Sequence, residues 1–285
     1  MAYLRRFFRL PPDLEDLAVA ELWAAGTVGV QALPQSDGRL LLEAWFEAGA
    51  PAPQPADLGL PGVEPAGEEL VTETDWLARY REQAQPFAVA RTFWVDPREP
   101  EEWDRPPVAP GEVPAGRRLL RLPARAAFGI GSHESTALAL ELLEGADLRG
   151  LRILDVGTGT GVLAFAALLG GAALVIGYDD DPAAPVHARD NSALNGLAPR
   201  LFAGRAAALR REQDFDLVLV NVVPEQILPE MPEITARLRP GGGVVFSGIL
   251  AERGRQVLER MRALGFAEHA RAEAGDWIAL HLLKT

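Results

Sequence analysis

The chain has 285 residues, 28 Lys and Arg against 40 Asp and Glu, a formal charge of −12 and no cysteine. Without cysteine there are no disulfides, zinc–thiolate sites or cysteine nucleophiles, and so acidic a chain does not hold nucleic acid by bulk electrostatics. The length suits one large domain with a smaller companion, and the charge serves solubility while also suiting a basic partner or a cationic cofactor.

Residues 3–10 read as a strand, and their Arg5, Arg6 and Arg9 do not fit the layout of a signal peptide. Pro11 and Pro12 precede Asp13, a candidate cap for a helix over residues 13–24 with Ala18, Leu22 and Ala25 on its inner face. Strands over residues 28–33 and 39–46 flank the turn Ser36-Asp37-Gly38. This order predicts a small α+β module over residues 1–65, in which nine acidic residues stand against four arginines.

Residues 66–117 read as a linker. Pro51, Pro53, Pro55, Pro61 and Pro65 loosen the chain before it, and a helix over residues 75–85 places Trp76, Leu77 and Tyr80 on one face. Residues 87–95 alternate as a strand, and the six prolines of residues 96–114 predict an extended loop.

From Arg118 onward strands and helices alternate. Strands are expected over residues 153–156, 174–178, 200–203, 217–222, 244–247, 267–272 and 277–283, with helices over 161–169, 183–194, 225–237 and 252–264. Five βα units followed by two consecutive strands predict a mostly parallel, Rossmann-like α/β sheet with an antiparallel hairpin at its end. The longest apolar stretch, residues 161–178, is broken by Gly170-Gly171 and falls short of the ~20 residues of a membrane helix, so no membrane association is expected and the protein is expected to be cytoplasmic.

The richest segment is Ile153-Leu154-Asp155-Val156-Gly157-Thr158-Gly159-Thr160-Gly161-Val162-Leu163. It reads as a buried strand, a glycine turn and the start of a helix, and the next strand ends at Asp179. Such a turn lets the backbone approach a nucleoside, and the acid at the second strand tip accepts hydrogen bonds from ribose hydroxyls. A dinucleotide fingerprint is met only formally, from Gly159 to Ala164, too far into the helix and leaving Asp155 unused. The pattern D-x-G-x-G-x-G, with Asp155, Gly157, Gly159 and Gly161, is that of S-adenosylmethionine (SAM) methyltransferases. His187, His269 and His281 are scattered without ligand spacing, so no metal is expected. Asn195-Gly196 reads as a helix C-terminus, and Asp181-Pro182 as a helix N-cap followed by proline.

Three further segments carry a resemblance: Ala127-Phe128-Gly129-Ile130-Gly131-Ser132-His133-Glu134-Ser135-Thr136, Leu219-Val220-Asn221-Val222 and Ser247-Gly248-Ile249-Leu250. Together with the glycine turn and Asp179-Asp180-Asp181-Pro182 they resemble the ribosomal protein L11 methyltransferase family, most closely over residues 127–250, with Asp75-Trp76 in a matching place before that. The resemblance implies a ferredoxin-like N-terminal recognition domain, a linker, and a class I SAM methyltransferase domain over residues 118–285. Departures from the family pattern are Ile130 and Ser132 before His133, Pro123-Ala124-Arg125 ahead of them, Tyr80 in place of a second linker tryptophan, and Val222-Val223-Pro224 after Asn221.

On this reading Asp155, Gly157, Gly159, Gly161, Asp179 and Asn221 contact SAM, and the resemblance adds Thr136, closing over the cofactor from its helix. Asn221 is also the residue expected to handle the target, its amide oxygen holding the hydrogens of a neutral amine. His133 either assists proton loss at the target or caps the helix entered at Glu134. Trp277 is expected in the core. The implied activity is methylation of lysine side chains, and possibly of the N-terminal amine, of ribosomal protein L11. A methyltransferase of the same fold acting on another protein or a small amine, and a SAM-binding protein without turnover, stay open at this point.

Overall fold

A computed structural model describes residues 2–35, 37–72, 85–103, 113–123, 131–209 and 215–285. The expected helix over residues 75–85, with Asp75, Trp76 and Tyr80, and the segment from Ala124 to Ile130 lie outside the described residues. The chain divides into two compact units, Met1–Glu82 and Gln83–Thr285.

In the first unit β1 (Ala2–Leu10), β2 (Gly29–Pro34), β3 (Leu40–Glu47) and β4 (Glu64–Thr72) form one sheet in the order β2-β3-β1-β4. Read from the other edge this is the order four-one-three-two of a ferredoxin-like sheet, with α1 (Glu15–Ala24) as its first helix. The second helix of such a fold is reduced to one 3₁₀ turn, Pro55–Leu58. Phe8, Leu10, Leu42 and Phe46 from the strands meet Ala18 and Leu22 of α1 in the core. The expected limit of this module at residue 65 falls inside β4, whose pairing with β1 keeps the chain in the sheet to Thr72. Asp13 does not cap α1: it lies in a 3₁₀ turn, Pro12–Leu14, and the helix begins without a side-chain cap. Proline at the start of that turn supplies the fixed φ instead.

The second unit contains two sheets. In the smaller, β5 (Phe87–Val89), β6 (Phe93–Asp96) and β7 (Arg118–Arg121) take up much of the expected linker. The single strand expected over residues 87–95 is a hairpin, because the chain reverses at Ala90 with φ +46°. The larger sheet has seven strands: β8 (Arg152–Val156), β9 (Leu174–Asp179), β10 (Arg200–Ala203), β11 (Phe215–Asn221), β12 (Leu238–Leu250), β13 (Phe266–Ala274) and β14 (Trp277–Lys284). Their order is β10-β9-β8-β11-β12-β14-β13. The first five are parallel, and β14 runs antiparallel to both neighbours. This is the mostly parallel sheet with a terminal antiparallel hairpin expected from the alternation of elements, and the class I methyltransferase sheet that the resemblance implies.

Helices α2 (Glu134–Glu144), α3 (Val162–Leu169), α4 (Ala184–Leu194) and α7 (Gly254–Ala263) pack on it. On one face Leu154, Val220, Phe246 and Leu280 meet Val257 and Met261 of α7. The alternate positions Ile153, Leu219 and Val245 are also fully buried, which is why these strands read as unbroken apolar runs. The helix expected over residues 225–237 is two short ones, α5 (Pro224–Ile227) and α6 (Met231–Thr235). Pro229 and Pro232 lack the N–H that a continuous helix needs there.

Asn195, the C-cap of α4, fastens that helix to β7. Its side chain accepts from Arg121 N–H at 2.8 Å and donates to the Arg121 carbonyl at 2.8 Å. Asn195→Ala removes both bonds and leaves a half-buried peptide unpaired, so unfolding in urea should show a loss of about 2 kcal/mol; an unchanged midpoint would count against this bracket.

Candidate active site

Chain order reverses beside β8. From it the chain goes to β9 and β10 on one side, and then to β11 and β12 on the other. In open α/β sheets ligands bind at the carboxyl ends of the strands at such a switch point. The residues flanking it here are Gly157, after β8, and Asn221, at the end of β11.

Between them lies a cavity of about 330 Å³ lined by Gly157, Gly159, Asp179, Asn221, Val222 and other residues. A larger hollow of about 720 Å³ lies at the opposite edge of the sheet, near Gly241, His269 and His281. Size favours the latter, but none of the expected site residues lines it. Among the described residues no cluster of three or more metal-ligating side chains occurs.

The turn is built for close approach. Gly157, Gly159 and Gly161 have φ of +68°, +51° and +88°, a region that side-chain-bearing residues enter only with strain. A Cβ on Gly157 would meet Val222 Cγ2 at 2.6 Å. The amides of Gly157 and Thr158 both donate to the Tyr178 carbonyl, at 2.9 and 3.0 Å, clamping the turn to β9.

Asp179 is already oriented. One carboxylate oxygen accepts from Gly159 N–H at 2.9 Å and the other from Asp181 N–H at 3.1 Å. A carboxylate has about four acceptor positions, so two stay open, enough for the vicinal hydroxyls of a ribose. Asp181 accepts from Ala183 N–H at 2.9 Å in the turn ahead of α4, but it is not the N-cap expected of it: that position is Ala183, which has no side-chain cap bond.

Asp155 is wholly buried and accepts from Thr158 Oγ1 at 2.7 Å. Burial is the main reason its pKa is pushed up to about 6; the Thr158 hydrogen bond opposes the shift and the neighbouring Asp179 charge adds to it. A carboxyl in this condition gains from an approaching cation, and SAM carries both an ammonium and a sulfonium. Gly157, Gly159 and the open positions on Asp179 line the cavity and fit that molecule, whereas Asp155, which is buried, and Gly161, which lies against Phe165, are also expected to contact it and do not line the cavity.

Asn221 is held from behind. Its Nδ2 donates to Thr136 Oγ1 at 3.0 Å, while Oδ1 is buried and, among the described residues, has no partner. An unpaired buried acceptor costs on the order of 1–3 kcal/mol, and an incoming donor relieves that cost. Thr136 is fully buried and, contrary to expectation, does not line the cavity; it stands behind Asn221. His133 is the N-cap of α2: its Nδ1 accepts from Ser135 N–H at 3.2 Å, and its ring packs edge-on against half-buried Trp277 at 4.7 Å. The capping alternative is therefore the one the structure realises.

Three residues were given no role by sequence reasoning, although Ser247 and Gly248 stand in a segment that carries the resemblance. Gly177 faces Thr158, whose Oγ1 would lie 2.8 Å from an added Cβ. Gly248, at φ +79°, runs so close to Val222 that a Cβ would meet its carbonyl at 2.9 Å. Ser247 is fully buried and donates to the Ser135 carbonyl at 2.6 Å. A glycine within a strand is the signal that could have found the first two; Ser247 is marked only by its place in the resembling segment.

The description of the matching family model is ribosomal protein L11 methyltransferase (PrmA), over residues 56–285. A ribosomal protein L11 methyltransferase of Trichlorobacter lovleyi is 34% identical over 231 residues, covering 78% of this chain and 73% of its own. One from Symbiobacterium thermophilum is 35% identical, covering 80% and 71%. The crystal structure of a ribosomal protein L11 methylase from Lactobacillus delbrueckii subsp. bulgaricus superposes with a TM-score of 0.62 at 30% identity, covering 70% of this chain and all of that one.

Two outcomes test the geometry. Gly157→Ala should weaken SAM binding about tenfold or more in calorimetry, and Val222→Ala in the same chain should recover part of the loss, leaving the ~1–2 kcal/mol backbone strain. The second concerns Asp155. The folded chain keeps its proton up to about pH 6, whereas an unfolded chain releases it near 3.8. The ligand-free fold therefore loses stability as pH rises through that interval, by about 3 kcal/mol in full. Asp155→Asn should raise the melting temperature of the ligand-free protein at pH 8 but not at pH 4, and should weaken SAM binding. A variant less stable than the parent at pH 8 would contradict this account.

Proposed function

Since the chain belongs to the ribosomal protein L11 methyltransferase family, we propose that it transfers methyl groups from SAM to amino groups of ribosomal protein L11, lysine side chains and the N-terminal amine being the candidate acceptors. It is a SAM-dependent protein methyltransferase. The observation that carries the amino-group reading is the place of Asn221, an amide at the tip of β11 that lines the cofactor cavity and is held from behind by Thr136.

Gly157 and Gly159 bring the main chain against the cofactor, Asp179 holds its ribose, and Asp155, buried and bonded to Thr158, holds the glycine turn and adds negative charge behind it. Bound SAM supplies an activated methyl on a sulfonium. The protein's task is then to present a neutral amine. A free lysine has a pKa near ~10.4, so the site must favour the deprotonated form. Asn221 Oδ1 accepts an N–H of that form and aims the lone pair, and holding the two groups in line supplies much of the rate.

Recognition is assigned to the first unit. Its Arg5 pairs with Glu43 and Glu69, Arg6 with Glu68, and Arg39 with Glu64. With these arginines neutralised at home, the remaining carboxylates give the module an acidic surface suited to a basic protein. Nucleic acid is not the partner this charge favours. No helix among the described residues is long and apolar enough to cross a membrane, and a cytoplasmic location is proposed from the target.

Unmethylated L11 incubated with the protein and SAM should gain successive methyl increments in intact-mass spectra, and Asn221→Ala should cut turnover about tenfold or more while SAM affinity moves far less. No mass gain, with SAM binding verified in the same buffer, would move the target to another molecule. Equal losses of turnover and affinity in the variant would remove the role given to Asn221.

A further inference from the structure

We propose that the outer face of α1, with the turn that ends it, is the surface on which the target docks, a basic stretch of ribosomal protein L11 covering Leu17, Trp23 and Val28. The proposal rests on the reading of L11 as the substrate and assigns its capture to one helix of the first unit.

A helix that packs on a sheet normally has one apolar face and one polar face. In α1 the outer face is apolar too. Ala18 and Leu22 fill the core, yet Leu17 and Trp23 stay 56% and 55% exposed, and Val28, just past the helix, 50%. These are three of the seven large apolar side chains left exposed among the described residues, so the exposure is concentrated here, and Trp23 is the only tryptophan in that group. At about 100° and 1.5 Å per residue, Leu17 and Trp23 stand about 120° apart around the axis and about 9 Å apart along it, one on each shoulder of the outward face. Side chains left in water add nothing to folding by burial, whereas a partner that covers them gains that burial. Tryptophan is also among the residues that most often carry the binding energy of an interface.

The surrounding charge selects the partner. Residues 11–38 contain five acidic residues and no Lys, Arg or His. Asp13 and Glu21 are exposed, Glu21 lying one turn from Leu17 on the same stripe. No basic residue in the last turn answers the negative end of the helix dipole. Arg5, Arg6 and Arg39 are held by glutamates of β3 and β4. Apolar side chains among uncompensated carboxylates repel nucleic acid and suit a protein that brings basic residues around an apolar centre.

The surface is fixed before a partner arrives. The helix closes as a Schellman motif: Gly26, at φ +86°, donates to the Trp23 carbonyl at 3.0 Å, and Thr27 to the Leu22 carbonyl at 3.2 Å. Thr27 is buried, and Val28 N–H donates to the Trp45 carbonyl of β3 at 2.7 Å. The backbone that carries Trp23 and Val28 is thus anchored to the sheet, which lowers the ordering cost of binding.

The test uses the full chain and unmethylated L11, with initial rates followed by mass. Trp23→Ala should raise KM for L11 about tenfold or more and leave kcat and SAM affinity within about twofold, because docking is lost and the transfer step is kept. Glu21→Lys removes no apolar contact; it should raise KM by a factor that shrinks as salt is added, and it keeps the test open if Trp23→Ala fails to fold. Leu70→Ser, at a side chain 64% exposed on β4, should leave KM within about twofold. An unchanged KM in both α1 variants, or an equal rise in Leu70→Ser, overturns the proposal. So does a parent that sediments as a dimer and becomes monomeric on Trp23→Ala, since the surface would then belong to a second copy of the chain. A parent that binds SAM and leaves L11 unmodified would instead overturn the choice of target, and this assignment with it.

Discussion

Three stretches of backbone meet at the carboxyl edge of the large sheet with almost no space between them, and the site depends on that contact. Gly248 lies against the backbone of Val222, and the Val222 side chain lies against Gly157. A side chain at either glycine would push Val222, and with it the neighbouring Asn221, away from the switch point. Close packing makes such contacts stiff, since interiors have little free volume to absorb a displaced methyl group. The position of the Asn221 amide is therefore set by the absence of side chains on the two strands that flank β11.

Electrostatics adds a second constraint of opposite sign. Asp155 is buried beside Asp179, so the ligand-free fold holds carboxyl groups where their charge is poorly solvated. This arrangement is unfavourable by itself and becomes favourable when a cation arrives. Binding and stability are linked through it, because whatever satisfies Asp155 also relieves the fold. The same holds on a smaller scale for Asn221 Oδ1, which lacks a hydrogen-bond donor among the described residues.

Much of this was legible in the chain. Alternating apolar runs showed the mostly parallel character of the large sheet and its closing hairpin, though not its strand order, because strands buried on both faces need long apolar stretches and helices between them need the 3.6-residue period. The glycine turn and Asp179 were legible because each must supply an unusual backbone conformation or an exposed acid at a strand tip. Boundaries were less so. β4 was missed as part of the small sheet, since its only sequence mark is a run of glutamates whose partners, Arg5 and Arg6, lie more than sixty residues away. The prolines at 229 and 232 were visible, yet the helix they divide was read as continuous. Thr136 was identified by resemblance as closing over the cofactor, and the structure places it in the first turn of its helix, bonded to Asn221. Sequence spacing cannot tell a hydroxyl that touches a ligand from one that touches the residue that does. Gly248 and Ser247 depend on β12 passing beside Val222 and α2, a register that no local pattern encodes.

The place of β1 in the small sheet has a consequence for how the protein is made. It is the first strand of the chain, but it lies in the middle, between β3 and β4. Its two partners begin at Leu40 and Glu64, and the second is complete only at Thr72. At roughly 5–20 residues per second, some 3 to 12 s pass between the emergence of β1 from the ribosome and that of its last neighbour. Throughout that time Phe8 and Leu10 have no finished core, and one edge of the strand stays open to pairing with another chain. The module proposed to recognise a ribosomal protein is thus itself most exposed to misassembly while still attached to a ribosome, and its yield should respond to translation speed more than that of the domain that follows.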